Sequence, residues 1–255
     1  MNKNINEEIK KWWDDGSDNY YRDYTEGDTL EIIKNDPKIV FPTKVWENIS
    51  MYYPSLEGVK ICVPSSGDNK AVFGFHLLGA EVTACDISPN QIKNAKIIAD
   101  SQGWNIDYKV QDSMVMDEIA DGYYDMVYTS NGVHTWISDL PTMHRQFHRI
   151  LKNGGRYIFF ETHPFIRPFD DSTNELKVRK PYSDTSNFDW RVQEFVNSLI
   201  ESGFTITRYD ELHAEKSLGS EWWNDDEWDS KSDWHINPYA ALPQWLSICN
   251  LAVKK

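Results

Sequence analysis

The stretch "GAEVTACDISPNQIKNAK", residues 79–96, decides the fold class because it joins a strand directly to a helix. Its first half is short, apolar and partly β-branched, as strands are. Its second half has Ser88 as an N-cap, Pro89 at the first helical position and Gln91 three residues after the cap, which together mark a helix N-terminus. The strand is therefore predicted to end at Asp86, with this carboxylate at its carboxyl edge.

The same alternation of strand and helix continues on both sides of this stretch and is typical of parallel strands joined by right-handed crossovers. The last two strands have no helix between them and predict an antiparallel, hairpin-like pair that closes the sheet. We therefore expect an α/β fold: a Rossmann-like, seven-stranded, mostly parallel sheet with an antiparallel last strand, helices on both faces and an N-terminal helical cap. The predicted strands are "VKICV" (59–63), "EVTACDI" (81–87), "IDYKV" (106–110), "YDMVYTS" (124–130), "RYIFFET" (156–162), "FTITRY" (204–209) and "LSICNLAVKK" (246–255).

Two of the later helices are marked by apolar residues at helical spacing. The first is predicted to start near Ser138 and to end at "KNGG", and the second has Gly203 as its C-terminal stop. Their inward-facing residues are predicted to be Leu140, Met143, Phe147, Ile150 and Leu151 in the first, and Val192, Phe195, Val196, Leu199 and Ile200 in the second.

Three segments lie outside this alternation. Residues 1–55 are aromatic and acidic, and a helical stripe in "TKVWENISMYY" predicts a helical cap or lid that precedes a domain of residues 56–255. Inserts are expected at about 163–187 and 213–243. The second holds Trp222, Trp223, Trp228 and Trp234 among acidic residues, which fits either a wall for an amine-bearing ligand or, as we favour, packing of a long surface excursion.

Charge and composition limit the classes of partner that the protein is expected to bind. With 26 basic and 40 acidic residues, the net charge of −14 repels nucleic acid and anionic membranes, so neither is expected as a partner. Cys62, Cys85 and Cys249 each lie in a predicted strand and have neither disulfide nor metal-ligand spacing. The first residues contain no apolar signal core, and no stretch reaches the roughly 18 apolar residues of a membrane span. We expect a cytoplasmic protein, and the oligomeric state stays open.

Residues 79–96, the stretch "YDMVYTSNGVHTWISDLPTMHRQFHRILKNGGRYIF" (124–159) and their spacing resemble class I S-adenosylmethionine-dependent methyltransferases over about residues 56–210. In that family the first strand ends in an acidic residue and is followed by a G-x-G-x-G loop. Here "SSGDN" (65–69) stands on that loop and keeps one family glycine, Gly67, while Val63 stands at the acidic position. Serine is small and Asp and Asn tolerate left-handed backbone angles, so the loop can still turn tightly.

The resemblance implies S-adenosylmethionine as the cofactor and assigns its contacts. Loop residues Ser65, Ser66, Gly67 and Asp68, with the following helix N-terminus, would receive the methionine carboxylate. Asp86, followed by Ile87, would accept hydrogen bonds from the ribose hydroxyls. The remaining cofactor contacts are expected from Asp112, Ser113 and Met114 at the adenine, from Ser130, Asn131 and Gly132 beneath the sulfonium, and from Tyr24 in the N-terminal segment.

The reaction follows from the cofactor, whose sulfonium already activates the methyl group, so the protein mainly positions the partners. The expected acceptor is a small molecule. If it needs a base, His163 is our first catalytic candidate and His134 the second, although His134 and Trp136 equally suit packing under the sheet edge. His144 and His148 lie four apart on one predicted helix, but with no third ligand evident we expect surface residues and no metal site.

Two other functions remain open from the sequence. A protein that binds S-adenosylmethionine or its demethylated product as a sensor or partner subunit would explain the loop with one glycine. A nicotinamide-dependent oxidoreductase would explain Asp86, but the chain lacks G-x-G-x-x-G and its last two strands do not suit that fold. We also expect residues 1 to about 40 to act as a mobile lid through Trp13, Tyr20 and Tyr24, with a permanent cap as the alternative.

Overall fold

The structure, a computed structural model, describes residues 3–170, 175–213 and 233–254, and side chains from Ile5 onward. The helices are Lys3–Thr25 (α1), Thr29–Asn35 (α2), Thr43–Tyr52 (α3), Lys70–Leu77 (α4), Pro89–Gln102 (α5), Leu140–Ile150 (α6) and Val192–Glu201 (α7). The strands are Lys60–Pro64 (β1), Glu81–Asp86 (β2), Asp107–Val110 (β3), Tyr124–Ser130 (β4), Leu151–Thr162 (β5), Phe204–Leu212 (β6) and Trp245–Ala252 (β7).

The strands form one seven-stranded sheet in the order β3-β2-β1-β4-β5-β7-β6. Strands β1 to β5 pair in parallel, whereas β7 runs antiparallel to both β5 and β6. The predicted fold class is confirmed. Because the order reverses between β1 and β4, the carboxyl ends of these two strands border a crevice, the usual ligand site of such sheets.

Each face of the sheet carries its own apolar core. One core joins α4 and α5 to the sheet and includes Phe73, Phe75 and Ile98. The other lies under α6 and α7 and includes Met143, Phe147 and further side chains of β4, β5 and β7. The three cysteines are buried free thiols in β1, β2 and β7, as their apolar surroundings predicted.

The N-terminal segment is packed into the first of these cores. Tyr21, Ile33, Val45 and Ile49, which come from α1, α2 and α3, are all buried there. Helix α1 also lies along α5, where Asn94 Nδ2 donates to Ser17 Oγ at 2.9 Å. Residues 1–55 therefore share a core with the sheet, and the boundary near residue 55 stays a prediction.

Several local predictions hold and others need correction. Ser88 caps α5 as expected, with its Oγ accepting from Gln91 N at 3.1 Å. Helix α6 begins at Leu140, not near Ser138, because the carboxylate of Asp139 caps it by accepting from Thr142 N at 2.9 Å. Ile200 does not face inward: it is 57% exposed.

Part of the predicted second insert, residues 214–232, lies outside the described residues, including Trp222, Trp223 and Trp228. Trp234 is described and is 56% exposed. Among the helices of the described ranges, none is both long enough and apolar enough to cross a membrane.

Candidate active site

A cavity of about 740 Å³ opens at the carboxyl edge of the sheet. It lies at the reversal between β1 and β4, and its walls come from the loops after β1, β2, β3, β4 and β5 and from helix α1. The structure brings most of the predicted cofactor residues to these walls, namely Ser65, Ser66, Gly67, Asp68, Asp86, Ile87, Asp112, Ser113, Met114, Ser130, Asn131 and Gly132.

The loop at residues 65–69 turns tightly although it has one glycine. Ser65, Gly67 and Asn69 all adopt left-handed backbone angles, with φ of 50°, 52° and 61°. At Gly67, apart from the glycine and its two chain neighbours, no atom of the described residues lies within 4 Å of the place where a Cβ would stand, so this backbone faces open space in the cavity. Such close approach of a bare backbone to a ligand is what glycine permits.

Helix α1 holds the outer side of this loop. Tyr21 Oη donates to the Gly67 carbonyl at 2.9 Å, and Tyr24 Oη donates to the Asp68 carbonyl at 2.8 Å. Asn69 Nδ2 donates both to Tyr21 Oη at 2.6 Å and to the Gly67 carbonyl at 2.8 Å. Tyr24 was predicted as a cofactor contact, but it is buried and does not line the cavity, so the correction is that it fixes the loop backbone instead.

Asp86 lies at the end of β2, as the sequence predicted, and is 4% exposed. Its Oδ2 accepts from Gly67 N at 3.0 Å and its Oδ1 from Ser88 N at 2.9 Å. Burial raises the pKa of this carboxyl to about 6, since these hydrogen bonds offset only part of the desolvation and Asp14 adds a nearby negative charge. Each oxygen keeps further lone pairs, so the carboxylate can accept a ligand hydroxyl at each.

The loop after β3 adds a second carboxylate. Asp112 Oδ1 accepts from Met114 N at 2.8 Å, and its Oδ2 accepts from the Asn6 side chain of α1 at 3.0 Å. Burial raises the pKa of Asp112, while these two hydrogen bonds lower it in part. Ser113 Oγ lies 2.8 Å from Ser65 Oγ and ties this loop to the loop after β1.

The loop after β4 is held by Glu161, near the end of the neighbouring strand. Asn131 and Gly132 have left-handed φ angles of 51° and 84°. The carboxylate of Glu161 accepts from Gly132 N at 2.8 Å, from His134 N at 3.0 Å and from His134 Nδ1 at 2.9 Å. Although burial alone raises the pKa of Glu161, these hydrogen bonds and the charge of Arg167 bring it below its ordinary value. An ionised carboxylate thus fixes the floor of the cavity.

Helix α1 also forms the roof of the cavity. Trp12 and Trp13 pack against Trp136 of the loop after β4, with ring centroids 4.8 and 5.5 Å apart, and Trp13 stacks on Tyr20. On the opposite side, Asp14 accepts hydrogen bonds from Ser88 Oγ and Asn90 N at the start of α5. Helix α1 is therefore attached at both rims of the cavity.

The two predicted bases lie off the cavity wall. His163 is 3% exposed, its Nδ1 accepts from Phe165 N at 3.1 Å, and its Nε2 faces Glu211 Oε1 and Tyr209 Oη at 3.2 Å each. Burial lowers the pKa of His163, and Glu211 opposes this in part, so the ring is neutral near pH 7. The lone pair on Nδ1 already accepts the hydrogen bond from Phe165 N. His134 is 1% exposed and stacks on Phe159 and Phe195. Neither ring borders the cavity, and their catalytic roles stay predictions.

His144 corrects a further expectation, because it is fully buried and not a surface residue. Its Nδ1 lies 2.7 Å from Ser198 Oγ, and burial together with nearby His134 lowers its pKa well below the ordinary value. Within the described residues no group of His, Cys, Asp and Glu side chains is arranged to hold a metal ion.

The end of the cavity next to β5 and β7 has a different character from the polar end. Its walls include Phe160 and Trp245, whose rings lie 5.0 Å apart, together with Pro42, Thr162 and Arg167. Sequence reasoning missed Arg167 as well as Asn6, Asp14 and Glu161. Glu161 alone left a local signal, an acidic residue inside the apolar run "RYIFFET".

Comparisons with known proteins agree with this geometry. Residues 65–159 match the family model described as a methyltransferase domain. The uncharacterized methyltransferase YbaJ of Bacillus subtilis (strain 168) is 23% identical over 183 residues, which cover 62% of this chain and 70% of that protein. Together with the fold, these matches support a class I S-adenosylmethionine-dependent methyltransferase. S-adenosylmethionine is accordingly its cofactor.

Solved structures show how widely this methyltransferase shares its fold. An S-adenosylmethionine-dependent methyltransferase from Mesorhizobium loti superposes with a TM-score of 0.62 at 19% identity, covering 81% of this chain and 96% of that one. The geranyl diphosphate C-methyltransferase of Streptomyces coelicolor A3(2) gives a TM-score of 0.58 at 14% identity, covering 82% and 80%. At these identities the likeness is one of fold.

The polar end of the cavity fits the cofactor. Asp86 offers acceptor capacity on both oxygens for ribose hydroxyls, and Gly67 leaves open space beside bare backbone. Ser66 Oγ is buried in the same wall with no hydrogen-bond partner among the described residues, so it has donor capacity for a ligand. Lys70 N of the α4 N-terminus is already taken by Asp68 Oδ1 at 3.1 Å, which leaves fewer free N–H groups for the methionine carboxylate than the sequence suggested.

Proposed function

We propose that this methyltransferase transfers the methyl group of S-adenosylmethionine to a small-molecule acceptor that binds in the same cavity. The observation that carries the proposal is the continuity of the cavity from the polar end, with Asp86 and Gly67, to the aromatic end, with Phe160 and Trp245. Ligand pockets measure ~300–1,000 Å³, and 740 Å³ lies in the upper part of this range, in keeping with two small ligands side by side.

The roof formed by α1 argues for an acceptor of limited size. Because Trp12, Trp13 and Trp136 pack together over the cavity, a polymer lying across the surface would have to displace them. A small molecule fits beneath this roof and would be shielded from water there. Exclusion of water strengthens the electrostatic interactions that position the two reactants.

When bound, the cofactor supplies an electrophilic methyl group, whose bond to sulfur breaks with its electron pair left on sulfur as an acceptor lone pair forms the new bond to carbon. The chain's own residues orient this exchange. Glu161 fixes the backbone at residues 131–134, Asp86 would hold the ribose, and the rings of Phe160 and Trp245 would hold the acceptor.

No histidine among the described residues borders the cavity, which bears on the acceptor atom. We propose an atom that carries a usable lone pair near neutral pH, such as an aromatic amine nitrogen or a carboxylate oxygen. Such an atom attacks without first losing a proton to a base, whereas an alcohol or a carbon acid would need a base, and no histidine of the described wall supplies it.

The test is a screen of small-molecule acceptors with isotopically labelled S-adenosylmethionine, read by mass spectrometry, beside calorimetric binding of S-adenosylhomocysteine. We expect a methylated product in the wild-type protein and its loss in Asp86→Ala together with cofactor affinity. Tight cofactor binding with no methylated product from any small acceptor would contradict the proposal and favour a sensor or partner subunit.

A further inference from the structure

Arg167 stands out among the residues that border the cavity. It follows the short turn Pro164–Ile166 beyond β5, and it borders the same end of the cavity as Thr162 and Trp245. Its side chain is 26% exposed, so most of the guanidinium group and its stem are out of water. The only other cation on the cavity wall within the described residues is Lys70, whose Nζ lies 3.6 Å from Asp68 Oδ2.

The guanidinium of Arg167 donates no hydrogen bond to any described residue. Its Nε lies 3.7 Å from Asp189 Oδ1, beyond hydrogen-bond distance, and Asp189 is already bound by Lys180. Each of the seven other arginines donates at least one hydrogen bond, namely Arg22, Arg145, Arg149, Arg156, Arg179, Arg191 and Arg208. Arg167 is therefore the one arginine whose donors the described protein leaves unused.

The buried carboxylate of Glu161 accepts no hydrogen bond from Arg167 either. The positive charge of Arg167 lowers the pKa of Glu161. The hydrogen bonds that this carboxylate accepts, however, come from Gly132 N, from His134 and from Thr162 N. Asp189 balances part of the charge of Arg167, but a mostly buried guanidinium whose N–H groups donate no hydrogen bond is still costly, since its lost hydration is not replaced. An anion bound in the cavity would replace it.

The surroundings indicate which anion would fit. A guanidinium presents parallel N–H donors that match a carboxylate, and such bidentate pairs are directional. The other cation on the described wall, Lys70, is paired with Asp68, so a single negative charge suits the site better than a phosphate. The rings of Phe160 and Trp245 beside it suit a flat apolar body.

We propose that Arg167 binds the carboxylate of an aromatic carboxylic acid and thereby selects the methyl acceptor. This inference rests on the proposed function and names its substrate class. Lys177 and Arg179 are exposed and lie on the same segment after β5 as Arg167. Their positive charges reduce the repulsion that a chain of net charge −14 exerts on an anion near this end of the cavity.

The test compares aromatic acids with their primary amides, for example 4-aminobenzoate with 4-aminobenzamide and indole-3-acetate with indole-3-acetamide. Each pair is offered with labelled S-adenosylmethionine to the full chain, to Arg167→Gln, to Arg167→Lys and to the control Lys177→Gln, which removes an exposed charge of the same segment. Folding of each variant is checked by thermal melting, and S-adenosylhomocysteine affinity by calorimetry.

We expect methylation of acids in preference to their amides. Arg167→Gln should lower kcat/KM for an accepted acid by about 30-fold or more, the usual scale for loss of one partner of a buried charge pair. The kcat/KM of Arg167→Lys should lie between those of wild type and Arg167→Gln, because lysine keeps the positive charge but lacks the parallel N–H donors. Lys177→Gln should stay near wild type, and the affinity for S-adenosylhomocysteine should not change in any variant.

Equal methylation of acids and amides, or an unchanged rate in Arg167→Gln, would overturn the inference. A loss of S-adenosylhomocysteine affinity in that variant would also overturn it, because Arg167 would then hold the cofactor. If no compound is methylated, the proposed function fails, and calorimetry of the acids against the protein loaded with S-adenosylhomocysteine decides the inference separately. Binding of an acid that Arg167→Gln abolishes would support it, and absence of binding by every acid would refute it.

Discussion

The pKa of Asp86 makes cofactor binding depend on pH in a range where few carboxylates titrate. The ribose hydroxyls donate to the ionised carboxylate, so protonation of Asp86 competes with binding. Since burial raises this pKa to about 6, the competent form is nearly complete at pH 7.5 and is a minority at pH 5. Lowering the pH should therefore weaken binding of S-adenosylhomocysteine while the fold persists.

The size of the effect follows from the fraction of protein in the ionised form. The apparent Kd is the intrinsic Kd divided by that fraction, so with a pKa of about 6 it rises about 11-fold at pH 5 and by under about a tenth at pH 7.5. The stability of the fold changes with pH in the opposite direction to cofactor binding, because the pKa of Asp86 is higher in the folded protein than the ordinary aspartate pKa of the unfolded chain. The contribution of Asp86 to stability is full below pH 4 and is lost as the pH rises through 6, by about 3 kcal/mol in total.

The assay is calorimetric titration of S-adenosylhomocysteine between pH 5 and pH 8 with wild type, Asp86→Asn and Asp112→Asn. Asp86→Asn should bind at least about tenfold more weakly at pH 7.5, through loss of charge-assisted hydrogen bonds, and should lose the break near pH 6. Asp112→Asn keeps Asp86 and should keep that break. The reasoning is refuted if wild type binds equally at pH 5 and 7.5, or if Asp86→Asn shows the same pH dependence.

Three further predictions concern the loops and the roof. Gly67→Val should abolish cofactor binding in a folded protein, because the new side chain enters the cavity. The control is Gly122→Val, which places a similar backbone strain, at φ of 60°, outside the cavity. Equal cofactor binding by both variants would contradict this prediction. Glu161→Gln should loosen residues 131–134, seen as faster amide exchange there and weaker calorimetric binding. Hydrogen exchange with and without S-adenosylhomocysteine should show protection gained in residues 10–30 if α1 is a mobile lid, and equal protection if it is a permanent cap.

Sequence patterns located the seven strands because each contains a short apolar or β-branched run, but β5 begins at Leu151, which was predicted to belong to the preceding helix. Helix faces were harder to predict. Ile200 has the spacing of the inward residues of α7, but it is exposed. His144 lies four residues after Leu140 and three before Phe147, so its spacing already placed it on the buried face, and only its polarity argued for the surface. Ser198 supplies the partner that this burial needs.

The site was predictable where one element carries both its position and its chemistry. Asp86 ends a strand and precedes a marked helix start, so its place at the sheet edge follows from local sequence. Arg167 and Asn6 were not predictable, because their role in the site depends on which segments, distant in sequence, reach the cavity. The rings of His163 and His134 are buried although their loops lie at this edge of the sheet, and their catalytic roles stay predictions.

The single glycine of the loop at 65–69 gives α1 a role that goes beyond covering the cavity. Ser65 and Asn69 hold left-handed angles that a side chain disfavours, so this loop needs outside support to keep its shape. Tyr21 and Tyr24 of α1 supply it by donating to the carbonyls of Gly67 and Asp68. Detachment of α1 would remove both tyrosine hydroxyls from the loop at once. Docking of α1 and order in the cofactor loop are therefore thermodynamically linked, and a ligand that stabilises one must stabilise the other.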